Sequence, residues 1–485
     1  MIGYIIGYTL LALLIALVAV LVVRTLKFKP RAQTPVPSTE VQIDAEKAAL
    51  DLSDMLRCKT VSHADAALDD ESEFLKFELL LPLLFPRVYR TCEYERLNPR
   101  ALLFRWTGST NAAPVVFMSH FDVVSVNEAE WSRPAFDGII EKGEIWGRGA
   151  LDTKSTLLSV LFSAETRIAE GFVPERDFYF CFGGDEEVLG GGAPSIVDEL
   201  ERRGIKPCLV LDEGGAIVDN VFPGVTKPCA LIGIGEKGNW NLKLKAVSKG
   251  GHASAPPADS PVDILAYACR RIHDHPFDFR ITQPAMEMFS NLAPHSTFLY
   301  KMIFSNLWLF RPVLNLTTKK NGGELNAMLR TTVAFTMAEG SSGANVLPSE
   351  ASLTMNVRLL EGDTKETALA RIKKLVGKDS IEYIPLSGSD PSRASNTNCM
   401  GYLALEHAIK ESFPCVLVSP YLMIAGSDSR HYMRICDNVY RFSGMFLSAE
   451  ERGMIHGKDE RISVEKLADT IKFYYRLIGI LQDID

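Results

Sequence analysis

The sequence predicts an α/β fold, a sheet with helices on both faces, interrupted by a smaller inserted α+β module and preceded by a membrane-spanning helix. Three observations carry this expectation. From about residue 44, apolar runs alternate with amphipathic ones, as strands and helices do in a sheet covered on both sides. From about residue 235 the order changes to a β-α-β-β-α-β-like pattern, and before residue 24 there is no charged side chain.

Residues 5–23 are almost wholly aliphatic, long enough to cross a hydrocarbon layer of roughly 30 Å as a helix. The basic start, short apolar core and small-residue cleavage site of a secretory signal are missing. The expectation is a membrane anchor over residues 1–23, a linker over 24–40 stiffened by Pro30, Pro35 and Pro37, and folded structure from residue 41. Arg24, Lys27, Lys29 and Arg31 follow the span, so the positive-inside rule favours the cytoplasmic side for the body, with the extracytoplasmic side as the alternative.

A chain of 485 residues exceeds one ordinary domain, and 47% hydrophobic content supports a full core. Its net charge of −8, with no Lys/Arg block, excludes nucleic acid as the expected partner and leaves a small molecule as the default substrate. Nine cysteines without a C-x-x-C pair indicate neither a disulfide framework nor a thiolate zinc site, a usage that fits a reducing compartment.

Taken in order, a strand over 115–118 ends in Ser119, His120, Phe121 and Asp122. A glycine-rich loop, Gly147-Arg-Gly-Ala-Leu-Asp152, leads into a helix over 155–169. An aromatic strand over 178–182 is ended by Gly183 and Gly184, which puts Asp185, Glu186 and Glu187 at its carboxyl end. Another strand, 208–211, ends in Asp212, Glu213, Gly214 and Gly215. Ligands bind at that end of open α/β sheets, so these strand ends and the loop place His, Asp and Glu on one rim. Residues 41–234 read as the first part of this domain. The inserted module, 235–388, starts with a strand over 239–246, in which Asn241, Lys243 and Lys245 alternate with Leu242, Leu244 and Ala246. A helix over 261–273, a strand over 351–360, a helix over 364–376 and a strand over 381–386 follow. The first domain resumes over 389–485, with a helix at 401–412.

His120, Asp152, Glu187, Asp212 and the distant His456 could supply two cations of the zinc type, which take imidazole and carboxylate ligands and leave a position open for water. Singly, each has a plainer reading. A histidine at a strand end is often a structural hydrogen-bonder, and Asp212 alone could cap a helix.

The segments Ser119-His-Phe-Asp-Val-Val124, Trp146-Gly-Arg-Gly-Ala-Leu-Asp-Thr-Lys154, Asp185-Glu-Glu187, Asp212-Glu-Gly-Gly215, Gly250-Gly-His-Ala-Ser254, Gly426-Ser-Asp-Ser-Arg430 and Ile455-His-Gly457 occur in that order. Together they resemble the signatures of the dizinc metallopeptidase and amidohydrolase family of carboxypeptidase S, aminoacylase-1 and acetylornithine deacetylase, from about residue 41 to the C-terminus. The look is nearest to carboxypeptidase S and the N-fatty-acyl-amino-acid synthase/hydrolase. The resemblance implies a zinc-exopeptidase-like three-layer catalytic domain with an inserted ferredoxin-like lid, and two Zn²⁺ per subunit. It implies His120, Asp152, Glu187, Asp212 and His456 as metal ligands, Asp152 bridging, with Asp122 orienting His120. By the same resemblance Glu186 is the general base, His252 stabilises the oxyanion, and Asn345 and Arg358 hold a substrate carboxylate near Gly426 and Ser427. For Arg358 an ordinary surface salt bridge remains the alternative. Ser427 departs from the threonine of many relatives, and Ala150 and Thr153 vary within the bridging-Asp motif.

The expected function is thus hydrolysis of the amide bond of N-acyl, in particular fatty-acyl, amino acids by a membrane-anchored enzyme. The alternatives are a carboxypeptidase acting on small peptides and an inactive binding protein. The resemblance leaves open a homodimer through the lid, with His252 supplied across it. Residues 298–316, thirteen of nineteen aliphatic or aromatic, read either as a buried helix or as one wall of an acyl groove opening towards the bilayer.

Overall fold

The computed structural model describes residues 2–31, 36–98 and 100–483. Met1 of the apolar run and Pro35 of the linker lie outside the described residues. The body is built on a ten-stranded sheet. Its centre is a parallel trio in which Val115–His120 lies between Phe178–Gly183 and Leu209–Asp212. All three strands are buried throughout. Ala101–Trp106 extends the sheet antiparallel on one side, and Val439–Arg441 extends it parallel on the other.

Alternation along the strands sorts side chains to two faces. Phe117, Phe180 and Leu211 point into a core shared with Leu157, Leu161 and Leu477, from the helices Lys154–Ala169 and Val464–Ile480. Val116, Cys181 and Val210 point the other way, against Ile196 and Leu200 of the helix Gly192–Arg202. Each fully buried Phe or Leu contributes about 1.5–3 kcal/mol, so burial on both faces explains why these strands read as unbroken apolar runs.

A second, four-stranded antiparallel sheet has the order Thr332–Glu339, Glu350–Leu359, Gly238–Val247, Ile381–Ser389. Gly238–Val247 buries every second residue, and Trp240, Leu242, Leu244 and Ala246 form a separate core with Leu265 and Ile372 from the helices Pro261–Asp274 and Lys365–Val376. Ser260 and Asp263 form a capping box at the first of these helices, and Thr364 caps the second.

The apolar stretch between these elements behaves differently from the sheet around it. Instead of one helix, Phe298–Ser305 and Leu307–Asn321 are separate helices, interrupted at Asn306. Phe289, Phe304, Leu314 and Met328 join the core of the large unit, not that of the small sheet. A two-layer module has only one apolar interior, already filled by its two helices, so surplus apolar helices pack where a larger core is available. The helix Ile2–Lys27 precedes the body and is long and apolar enough to cross a bilayer.

Candidate metal centre

Four of the five residues expected to bind metal meet at the carboxyl ends of the parallel strands. Asp152 lies between two imidazoles, its Oδ1 3.1 Å from His120 Nε2 and its Oδ2 3.2 Å from His456 Nε2. His456 Nε2 is also 3.1 Å from the Glu187 carboxylate. His456 adopts a left-handed φ of 58°, an uncommon conformation for a non-glycine residue that recurs at functional sites. Two sets of donor atoms converge closely, His120, Asp152 and Glu213 in one, Asp152, Glu187 and His456 in the other.

The fifth expected ligand, Asp212, is not in either set; its neighbour Glu213 is. Asp212 Oδ2 accepts the backbone N–H of Ser429 at 3.1 Å, and its Oδ1 accepts that of Glu213 at 2.9 Å. Asp212 therefore ties the loop after Gly426 to the strand end. Consecutive residues leaving a strand face opposite ways, so moving one position along exchanges the side chain that reaches the cluster. The adjacency of two acidic residues in Asp212-Glu-Gly-Gly215 was the only signal in the sequence for Glu213.

Asp122 organises the acidic doublet. Its carboxylate accepts the backbone N–H groups of Glu186 and Glu187, both at 3.1 Å, and the Ser62 hydroxyl at 2.6 Å, while Oδ1 lies 3.4 Å from His120 Nδ1. Glu186 and Glu187 occupy one 3-10 turn. From it the Glu187 side chain reaches His456, whereas Glu186 lines a narrow cavity with His120, Asp212, Asp428 and Tyr432. That cavity, about 10 Å³, has room for about a single water. A Cβ at Gly184 would sit 2.5 Å from Phe121 Cζ, so glycine lets the turn approach the residue that follows the neighbouring strand Val115–His120.

The loop carrying Asp152 is held from below by Glu460, a fully buried carboxylate. It accepts the backbone N–H groups of Gly149, Leu151 and Asp152 at 3.2, 2.7 and 3.1 Å, and pairs with Arg148 at 2.6 Å. Gly149 has a φ of 93°, and a Cβ there would lie 2.9 Å from Val123 Cγ1.

The electrostatics are those of an acid cluster built around cations. Burial, reinforced by Asp152 and Asp212, holds Glu213 well above the usual carboxylate range. Burial does the same to Glu186, opposed by His120 and reinforced by Asp428. Asp428 is pushed up to about 7 by burial, with Asp212 reinforcing the effect and Arg430 opposing it. Burial works against a protonated His120, but its contacts with Asp122 and Asp152 raise it well above the ordinary value. Bonds to Asp152 and Glu187 raise His456 to about 10. The donor set is one imidazole and two carboxylates per position, and donors at about 2.1 Å from a tetrahedral ion are roughly 3.4 Å apart, close to the 3.1–3.2 Å separations here. The residues fit a pair of zinc-type cations sharing Asp152.

The remaining expected site residues lie apart from the cluster. His252 and Asn345 come together in a two-stranded ribbon, where His252 pairs with Val346 and Ala253 N donates to Asn345 O at 3.0 Å. His252 is exposed and bonds to the Ser254 hydroxyl at 2.8 Å. Arg358 occupies the other end of the small sheet, opposite Asn239, with its Nε donating to Asn356 Oδ1 at 3.0 Å. Burial lowers its pKa, while the nearby Glu236 charge opposes that effect. Glu236 also accepts Ser427 N at 3.1 Å and lies 3.4 Å from the buried Arg441. This network joins Ser427 to Glu236, the last residue of the strand Cys229–Glu236, two positions before the small sheet starts at Gly238.

Residues 116–479 match the model of the peptidase family M20/M25/M40. The chain belongs to this family. It is 34% identical over 483 residues to the probable carboxypeptidase S-like 2 of Dictyostelium discoideum, covering 96% of this chain and 92% of that protein. It is likewise 34% identical over 489 residues to the N-fatty-acyl-amino acid synthase/hydrolase PM20D1 of Xenopus tropicalis, covering 98% and 95%. The M20 family metallo-carboxypeptidase Sso-CP2 of Sulfolobus solfataricus shares the fold, with a TM-score of 0.66 at 16% identity, covering 91% of this chain and all of that one. This M20 chain is accordingly a metal-dependent hydrolase with the mixed α/β fold of zinc-exopeptidase-like enzymes.

Proposed function

We propose that this M20 enzyme is a membrane-anchored dizinc hydrolase that cleaves the amide bond of N-fatty-acyl amino acids. The observation that carries the chemistry is the divergence of Glu186 and Glu187 from one turn fixed on Asp122, the first beside the cluster and the second within it. Bound by His120, Asp152, Glu213, Glu187 and His456, a pair of Zn²⁺ ions would polarise the scissile carbonyl and acidify a water. Glu186 takes the proton of the attacking water and returns it to the leaving amine, a role suited to a carboxyl whose proton affinity burial has raised. Asp122 orients His120 and sets the doublet. The small sheet serves as a lid. It holds Arg358 near Gly426 and Ser427 for the substrate carboxylate, while His252 and Asn345, at the opposite end of the sheet, would reach the developing oxyanion and that carboxylate from the partner subunit of a homodimer.

The fatty-acyl preference rests on the helices Phe298–Ser305 and Leu307–Asn321, which keep Phe298, Leu299, Trp308 and Leu316 on the surface, the first of the two packing on the N-terminal helix. A cleft of about 380 Å³ between that helix and Met286, Phe289, Phe304 and Leu307 has an apolar floor. The second reading, a peptidase like the carboxypeptidase S-like relative, has equal support from identity. Each buried methylene contributes up to about 0.8 kcal/mol, so a few of them give about a hundredfold preference. Comparing kcat/KM for oleoyl and acetyl amino acids with that for dipeptides, below the micelle threshold, tests this. Equal efficiency for the two acyl groups, or a preference for dipeptides, would overturn the fatty-acyl reading in favour of the peptidase.

A further inference from the structure

The N-terminal helix does not leave the body as a free stalk. Leu17, Leu21, Val22 and Thr25 are its shielded residues, Phe28 just beyond its end is half-buried too, and its last turns pack on the helix Phe298–Ser305. Arg24 Nη2 donates to Ser305 O at 3.2 Å, Thr25 and Ser305 share a hydroxyl contact at 3.2 Å, and the fully buried Asn306 donates from Nδ2 to Leu21 O at 3.3 Å. These bonds fix the height of the insert along the helix.

That height meets a boundary in the helix. The uncharged run of the helix ends at Val23, and Arg24 is its first charged side chain, so in a bilayer-spanning helix the turn at Arg24 lies at the edge of the hydrocarbon. The bonds from Leu21, Arg24 and Thr25 carry Phe298–Ser305 to that same depth. The surface of the insert suits that depth. Phe298, Leu299, Trp308, Val313 and Leu316 are each more than half exposed, at 53, 60, 58, 52 and 68%. Residues 298–321 contain Lys301, Arg311, Lys319 and Lys320 and no Asp or Glu, in a chain whose net charge is −8. Aromatic and aliphatic side chains interleaved with Lys and Arg are the composition of helices that lie in a headgroup layer.

We propose that Phe298–Ser305 and Leu307–Asn321 form a second membrane contact, a monotopic face seated in the headgroup region of an anionic bilayer beside the N-terminal helix. The catalytic body is thereby held against the bilayer and not suspended from it. This rests on the membrane-anchor reading, and the test separates the two.

The full chain is reconstituted into phosphatidylcholine–phosphatidylglycerol vesicles carrying lipid brominated in the acyl chain. Flotation is measured first, then quenching of tryptophan emission in the native protein and in Trp308→Phe. The expected result is flotation together with a bromine-quenched component that Trp308→Phe lacks. Leu299→Glu combined with Leu316→Glu, both at surface positions, is expected to keep flotation and lose that component. Flotation with the same quenching in native and Trp308→Phe protein would overturn the docking face alone. Disulfide cross-linking between two copies through Leu316→Cys, with Trp308 unquenched, would replace the bilayer by a second copy as the occupant. Failure to float after an alkaline wash would overturn the anchor and the docking face together.

Discussion

The buried carboxylate of Glu460 accepts the backbone N–H of Asp152 at 3.1 Å, so the residue that shares both imidazoles is held from behind by an acid 308 positions later. Glu460→Gln should weaken metal binding by about 10–100-fold, the usual effect of losing a group that orients a ligand. Glu460→Ala should in addition destabilise the fold by about 3–5 kcal/mol, because Arg148 is left buried without its partner. Metal titration and chemical denaturation measure the two effects. Unchanged metal affinity in Glu460→Gln would show that the loop holds Asp152 without it.

Glu186→Gln keeps the turn on Asp122, since that contact uses the Glu186 backbone. The variant should retain both metals and lose about 10²–10⁴ in kcat. Turnover near that of the native enzyme would remove Glu186 from proton transfer.

Asp212 and Glu213 make opposite predictions. Glu213→Gln should reduce bound metal towards one equivalent, measured by elemental analysis, because it removes an anionic donor from one of the two sets. Asp212→Asn should retain both and instead loosen the loop at Ser429, seen as faster amide exchange there. The reverse pattern would assign the ligand to Asp212.

The metal-stripped protein should show its own pH dependence. His456 is raised to about 10 by Asp152 and Glu187, above an ordinary histidine value of about 6.5. A raised folded-state pKa gives stability that is complete below about 6.5 and is lost as pH rises through about 10. Loading metal at neutral pH should therefore release protons, visible as a buffer-dependent binding enthalpy, and affinity should fall as the solution is acidified. A binding enthalpy independent of buffer would contradict this.

Arg358→Ala should lower kcat/KM about 30–1,000-fold, equivalent to about 2–4 kcal/mol, for substrates with a free carboxylate, and little for the amidated forms. An equal fall for both would make Arg358 a support for Asn356 and Glu236 instead of a selector.

The sequence by itself determined the sheet and most of the cluster. Strands buried on both faces read as apolar runs, glycines mark where they end, and His120, Asp152 and Glu187 are written at or near those ends, a local signal independent of partners. It could not determine which of Asp212 and Glu213 faces the cluster, because that depends on the turn by which the strand leaves the sheet. Nor could it give Glu460 its role, since a glutamate within the charged run Lys458-Asp-Glu-Arg461 has no local mark of the three N–H groups it will accept. The seating of the N-terminal helix on Ser305 and Asn306 is of the same kind, joining segments about 280 residues apart. Periodicity and strand ends are properties of neighbouring residues. A buried acid or amide finds its partners only when the whole chain has closed around it, because burial is what makes an unpartnered polar group too costly to keep.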